Sequence, residues 1–158
     1  MTIHGGDIYR NRVHHDFSIN VNPLGMPDAV KTALYRAVEQ CDVYPDREAE
    51  KLKNAVSGFL AVPKEYLLFG NGASELFMAV VHGVKPKKTV IPVPSFYGYE
   101  YAAKATESEI LFYETKEENC FCVTEELTSV LTEDAELLFL TNPNTPNGGL
   151  TDKKLIKA

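Results

Sequence analysis

Apolar residues recur along this chain with two different periods, and the switches between them mark its elements. Between Asp28 and Gln40 the spacing of Val30, Leu34, Ala37 and Val38 is that of one helical stripe, with Pro27 and Asp28 suited to a first turn. Tyr44-Pro45-Asp46 interrupts the chain. Asp46 is placed to cap a second helix over 48–60, whose Leu52, Val56, Phe59 and Leu60 point inward before Pro63 closes it. From there short apolar runs alternate with helical stretches. Strands are predicted at 66–69, 89–93, 109–113 and 136–141, helices at 73–84, 96–105 and 124–131, and a last helix starts at Thr151-Asp152. Residues 1–27 read as an irregular arm with one apolar stretch around Phe17. Alternation of this kind, with continuous apolar strands such as LLFLT, predicts an α/β fold: a mostly parallel sheet flanked by helices. Ligands in such sheets lie beyond the carboxyl ends of the strands.

Composition narrows the partners. The 158 residues suffice for one domain with a core, and 44% apolar and 24% charged residues are ordinary globular values. A net charge of −6, with no Lys/Arg cluster, argues against nucleic acid. No apolar run approaches the ~20 residues of a membrane helix. The polar start MTIHGGDIYRNR has no apolar signal region, so a cytoplasmic protein is expected. Three cysteines, Cys41, Cys120 and Cys122, fit a reducing compartment without disulfides. Cys120-Phe121-Cys122 would put two thiols on one face of a strand, but no further ligand lies at a metal spacing, and no metal is expected. His14 and His15 read as surface residues, and His82 as support for a helix C-terminus. No Ser/His/Asp or Cys/His grouping is present.

Three segments at predicted strand ends carry the chemistry. Gly70-Asn71-Gly72-Ala73-Ser74 is a small-residue turn into a helix. The Ser74 hydroxyl and the N–H groups of Gly72, Ala73 and Ser74 can cradle an anion against the positive end of the helix dipole. The turn matches neither G-x-G-x-x-G nor a P-loop, and a plain strand-to-helix connection would also use its glycines. In PVPSFYGYE, Phe96 and Tyr99 share a helix face. They either fill core or offer an aromatic platform, stacking being worth ~0.5–1.5 kcal/mol beyond area burial. In TNPNTPNGG turn chemistry explains most residues, while an amide side chain could donate to a phenolate oxygen, worth ~1.5–3 kcal/mol.

In the order GNGASE, PSFYGYE, NPNTPNGG the chain resembles fold-type I pyridoxal 5'-phosphate (PLP) enzymes, the class I/II aminotransferases. Within them it is similar to the histidinol-phosphate aminotransferase and threonine-phosphate decarboxylase branch. HGGD with DFSINVNPLGMP resembles the decarboxylase side, and YPDREAEKLK resembles the branch's Tyr-Pro-Asp signature. The resemblance implies that Asn71, Gly72, Ala73 and Ser74 cradle the cofactor phosphate, and that Phe96 stacks on the pyridine ring with Tyr99 nearby. It further implies that Tyr44 reaches the phosphate in the neighbouring subunit of a homodimer, and that Asn20 borders an amino-acid substrate. The family string is N-P-N-N-P-T-G; Thr145 and Asn147 stand here for its second Asn and its Thr. Asn142 and Asn144 are then both candidates for the ring oxygen, and Asn144 is favoured.

The family's pyridinium aspartate, Schiff-base lysine and substrate arginine all lie beyond the third motif. Lys153, Lys154 and Lys157 match no lysine motif. The expectation is therefore an arm over 1–27 and, over 28–158, the N-terminal part of the PLP-binding large domain, truncated before that lysine. Such a fragment holds no catalytic residue, binds PLP weakly or not at all, and does not turn over. The full enzyme would act on an amino acid or a phosphorylated amino acid, as an aminotransferase or a decarboxylase. A non-catalytic phosphate- or nucleotide-binding α/β module is the alternative, against which the missing dinucleotide and P-loop patterns count.

Overall fold

A computed structural model describes residues 5–157. His4, the first residue of HGGD, lies outside the described residues. The chain divides into two compact units, Met1–Leu68 and Phe69–Ala158.

The first unit holds two helices, α1 (Asp28–Val38) and α2 (Glu50–Leu60), then a 3-10 turn at Lys64–Tyr66. α1 starts directly after Pro27, whose carbonyl accepts from the N–H of Val30 and Lys31. Asp46 acts as expected at the second helix: its carboxylate accepts from Glu48 N–H at 3.1 Å and from Glu50 N–H at 2.8 Å. The inward faces do not follow the expectation. Neither helix has a buried residue, and Phe59 is 87% exposed. Two short helices and an irregular arm provide no sheet against which an apolar stripe could be buried. The strand expected over 66–69 is likewise absent: Tyr66 ends the 3-10 turn, and no strand partner takes up 67–70.

The second unit is the α/β layer. Its elements are α3 (Ala73–Val84), β1 (Lys88–Val93), α4 (Gly98–Lys104), β2 (Glu109–Glu114), α5 (Glu126–Val130), β3 (Leu137–Leu138) and α6 (Lys153–Lys157). The three strands form the parallel sheet that the alternation predicts, in the order β2-β1-β3. β1 is the centre, with Thr89 to Pro92 all buried. One sheet face carries Val90, Tyr113 and Leu127 of α5, joined by Leu138 and Leu140.

β3 is much shorter than the predicted 136–141, and the cause is on its neighbour. The Lys88 and Val90 carbonyls accept from Glu136 and Phe139 N–H, so even-numbered β1 residues face β3. The next residue facing that way is Pro92, which has no N–H to donate. The ladder ends there. Side-chain alternation nevertheless continues: Leu138 and Leu140 join the α5 core, while Phe139 stacks on Tyr99 with ring centroids 4.8 Å apart.

The amino ends of the strands are pinned by charge. Lys88 Nζ lies 2.9 Å from Asp134 and 3.9 Å from Glu109. The hydrogen bond to Asp134 holds the Lys88 amine above its ordinary range. Asp134 is held low, first by the Thr132 hydroxyl and then by Lys88.

Candidate functional site

The loops that leave the carboxyl ends of β1 and β3 meet the start of α3. Helix α3 begins at Ala73 as predicted, after Gly72 at φ 85°, ψ 165°. That is backbone only glycine adopts readily, and an added Cβ would meet nothing within 4 Å. The space above the turn is open. Two amides in the turn are already used: Gly72 N–H donates to the Gly70 carbonyl at 2.9 Å, and Asn71 N–H donates to the Glu75 carboxylate. No side chain caps the helix. The N–H groups of Ala73 and Ser74 have no intrahelical acceptor, and both residues are exposed. They are the donors an anion would find. Glu75 escaped the sequence reading, although its place three residues past the Gly72 cap is the spacing of a capping box.

Phe77, one turn beyond Ser74, ties the cradle to the other two segments. Its ring centroid lies 6.2 Å from Phe96, 4.9 Å from Tyr99 and 5.9 Å from Phe139. Phe96 lies before α4 rather than inside it, because that helix starts at Gly98. Its ring sits over Gly98, where an added Cβ would come within 2.3 Å of Phe96 Cε1. Phe96 is half-buried, and Tyr99 is buried, with its hydroxyl accepting from Thr141 Oγ1 at 2.7 Å.

Asn144 closes the third side. Its Nδ2 donates to the Pro94 carbonyl and to Asn147 Oδ1, both at 2.9 Å. Asn142 turns the other way and pairs with Thr151: its Oδ1 accepts from Thr151 N–H at 3.0 Å. Of the two amides, Asn144 is therefore the one tied to the Phe96 segment. The peptide bonds Val93–Pro94, Asn142–Pro143 and Thr145–Pro146 are cis.

Within the second unit the Phe96 segment is thus bonded to Asn144 through the Pro94 carbonyl and packed on Phe77 of the helix that Ser74 helps to open. Tyr44 and Asn20 lie in the first unit, and both are exposed, Tyr44 to 99%. The cysteine pair differs from its expectation. Cys120 and Phe121 have φ of 51° and 53° in a turn after a 3-10 helix (Glu117–Asn119), so they form no strand face. His82, in the last turn of α3, bonds the Met78 carbonyl through Nδ1 at 2.9 Å. Among the described residues no group of three His, Cys, Asp or Glu could hold a metal ion, and no helix is long and apolar enough to cross a membrane.

Known proteins resemble this chain in sequence and in fold. A family model described as aminotransferase class I and II matches residues 14–158. Threonine-phosphate decarboxylase of Salmonella typhimurium is 36% identical over 143 residues, covering 90% of this chain and 39% of that protein. The crystal structure of histidinol-phosphate aminotransferase from Clostridium acetobutylicum superposes with a TM-score of 0.76 at 29% identity, over 89% of this chain and 41% of the other. A histidinol-phosphate aminotransferase from Sinorhizobium meliloti, solved in complex with pyridoxal-5'-phosphate, has the same fold at a TM-score of 0.75 and 21% identity, over 84% of this chain and 36% of that one. The chain therefore spans about two fifths of the length of the relatives it matches.

Proposed function

The chain belongs to the aminotransferase class I and II family, and from that premise we propose that its second unit supplies the phosphate and ring contacts of a PLP site. The observation that carries this reading is the uncapped start of α3 above Gly72, joined through Phe77 to Phe96, whose segment is in turn bonded to Asn144 at the Pro94 carbonyl. The fit is chemical: open amides suit a phosphate, a half-buried aromatic ring suits a flat heterocycle, and a carboxamide suits a ring oxygen. Ala73 and Ser74 N–H donate to the phosphate, with the Ser74 hydroxyl beside them and the Asn71–Gly72 turn shaping the loop. Phe96 bears on the ring, and Asn144, whose two Nδ2 hydrogens otherwise go to the Pro94 carbonyl and to Asn147 Oδ1, turns the first of them from Pro94 to the ring oxygen. When bound, the cofactor supplies an electron sink for breaking a bond at the α-carbon of an amino acid.

The full-length enzyme acts on an amino acid or phosphorylated amino acid. The 36% identity with a threonine-phosphate decarboxylase favours a phosphorylated substrate. Asn20 borders that substrate, and Tyr44 reaches the phosphate in the second subunit of a cytoplasmic homodimer. Residues 28–158 form the N-terminal part of the cofactor domain, and by themselves they do not turn over, since none of their lysines matches the family's cofactor-anchoring motif.

The test uses the 158-residue chain, 15N-labelled, titrated with PLP and with pyridoxal. PLP shifts the Ala73 and Ser74 amide resonances with an affinity on the order of millimolar, and pyridoxal, lacking the phosphate, does not. Ser74→Asp weakens PLP by about tenfold or more, the worth of a lost charge-assisted bond. Equal responses to both compounds, or none to either, would overturn the reading.

A further inference from the structure

We infer that Asn147 is a positioning residue that sets the orientation of the Asn144 carboxamide; the inference rests on the ring contact proposed for Asn144. Asn147 stands at the centre of four hydrogen bonds. Its Oδ1 accepts from Asn144 Nδ2 at 2.9 Å and from Gly149 N–H at 3.1 Å. Its Nδ2 donates to the Phe121 carbonyl at 2.7 Å and to the Cys120 carbonyl at 3.4 Å. A carboxamide has two N–H hydrogens and one oxygen, so Asn147 is used in full. Asn144 likewise spends one hydrogen on the Pro94 carbonyl and the other on Asn147.

The loop itself does not need Asn147. Its backbone is closed by Asn144 N–H to the Gly149 carbonyl at 2.8 Å and by Gly148 N–H to the Asn144 carbonyl at 2.7 Å. Its base is closed by the Asn142–Thr151 pair. What Asn147 adds is a link from the Asn144 side chain to the Cys120–Phe121 turn, whose two left-handed residues present consecutive carbonyls to one amide. A carboxamide without that link keeps only the Pro94 contact and rotates about its remaining torsions. Position 147 is also where the chain departs from the Thr of the family string. A threonine hydroxyl can accept from Asn144 and donate to Phe121 at once, whereas valine, of the same shape, can do neither.

The experiment compares Asn147→Thr and Asn147→Val in the 15N-labelled 158-residue chain. The readout is the side-chain amide pair of Asn144, assigned by its loss in Asn144→Ala, with the Asn142 pair as internal control. In Asn147→Val the Asn144 pair moves to the shifts of solvent-exposed amides and exchanges about tenfold faster, the equivalent of ~1.4 kcal/mol, while the Asn142 pair stays in place. Asn147→Thr keeps the Asn144 pair within about threefold. An unmoved Asn144 pair in Asn147→Val overturns the inference. So does equal movement of the Asn142 pair, which would make Asn147 a general loop staple. In PLP titrations the Asn147→Val loss disappears in an Asn144→Ala background; additive losses also overturn it. If the amide criterion is met and Asn144→Ala leaves PLP affinity unchanged, the positioning stands and the ring contact itself fails.

Discussion

Single atoms decide what each candidate residue can offer. Gly72 is required by its backbone angles, while Gly98 is required by space, because the Phe96 ring lies where a side chain would begin. Gly98→Ala is therefore expected to displace Phe96, destabilising the second unit by about 1–3 kcal/mol as overpacking does. Urea unfolding reads the stability, and near-ultraviolet circular dichroism reads the aromatic cluster. An unchanged aromatic signal would show that the ring is not seated over Gly98. The carboxylate of Glu75 that holds the turn and the hub at Asn147 were visible only as letters, one at a capping-box spacing and one as a departure from a motif. Their partners, Asn71 and the Cys120–Phe121 turn, depend on coordinates. The family resemblance singled out Ser74, Phe96 and Asn144, yet it could not say which donors at Ser74 and Asn144 are already taken.

Elements followed the hydrophobic pattern where a single period ran uninterrupted. α3 matches its predicted bounds, and β1 and β2 differ from theirs by one residue. They fail where a neighbour controls the outcome. β3 is two residues long because Pro92 cannot extend the ladder, a property of β1 that no reading of 136–141 alone contains. Pro92→Val restores an N–H aimed at the Phe139 carbonyl. A new hydrogen bond of about 0.5–1.5 kcal/mol is offset by the ~0.4–1 kcal/mol that proline contributes through the unfolded chain. Overall stability should thus change little, and amide exchange is the measurement that discriminates. In the Pro92→Val variant a slowly exchanging backbone amide is expected at the substituted position; a freely exchanging one would refute this account of β3.

At the scale of the molecule the two units contrast. Among the described residues all the buried apolar ones belong to the second unit, from Val81 to Leu127, whereas the first exposes Phe17 to 95%, Leu24 to 93% and Phe59 to 87%. Isolated exposed apolar residues are ordinary, but so many in one short unit make an adhesive surface. The chain is expected to bind the dye ANS. Phe17→Ser with Phe59→Ser should lower that fluorescence by about half or more while leaving the stability of the sheet unit within about 0.5 kcal/mol, as surface changes do. Undiminished fluorescence would locate the adhesive surface elsewhere.

Periodicity and turn chemistry in the sequence alone were enough for a parallel α/β layer and the start of α3, and they marked three candidate segments of which two follow strands of the sheet, because these are local consequences of side-chain pattern and backbone freedom. Which amides stay open, which asparagine faces Phe96, where β3 stops and that α1 and α2 bury nothing were decided by tertiary structure. Each of those depends on a partner distant in the chain, and a hydrogen bond or a buried face exists only once both partners are in place.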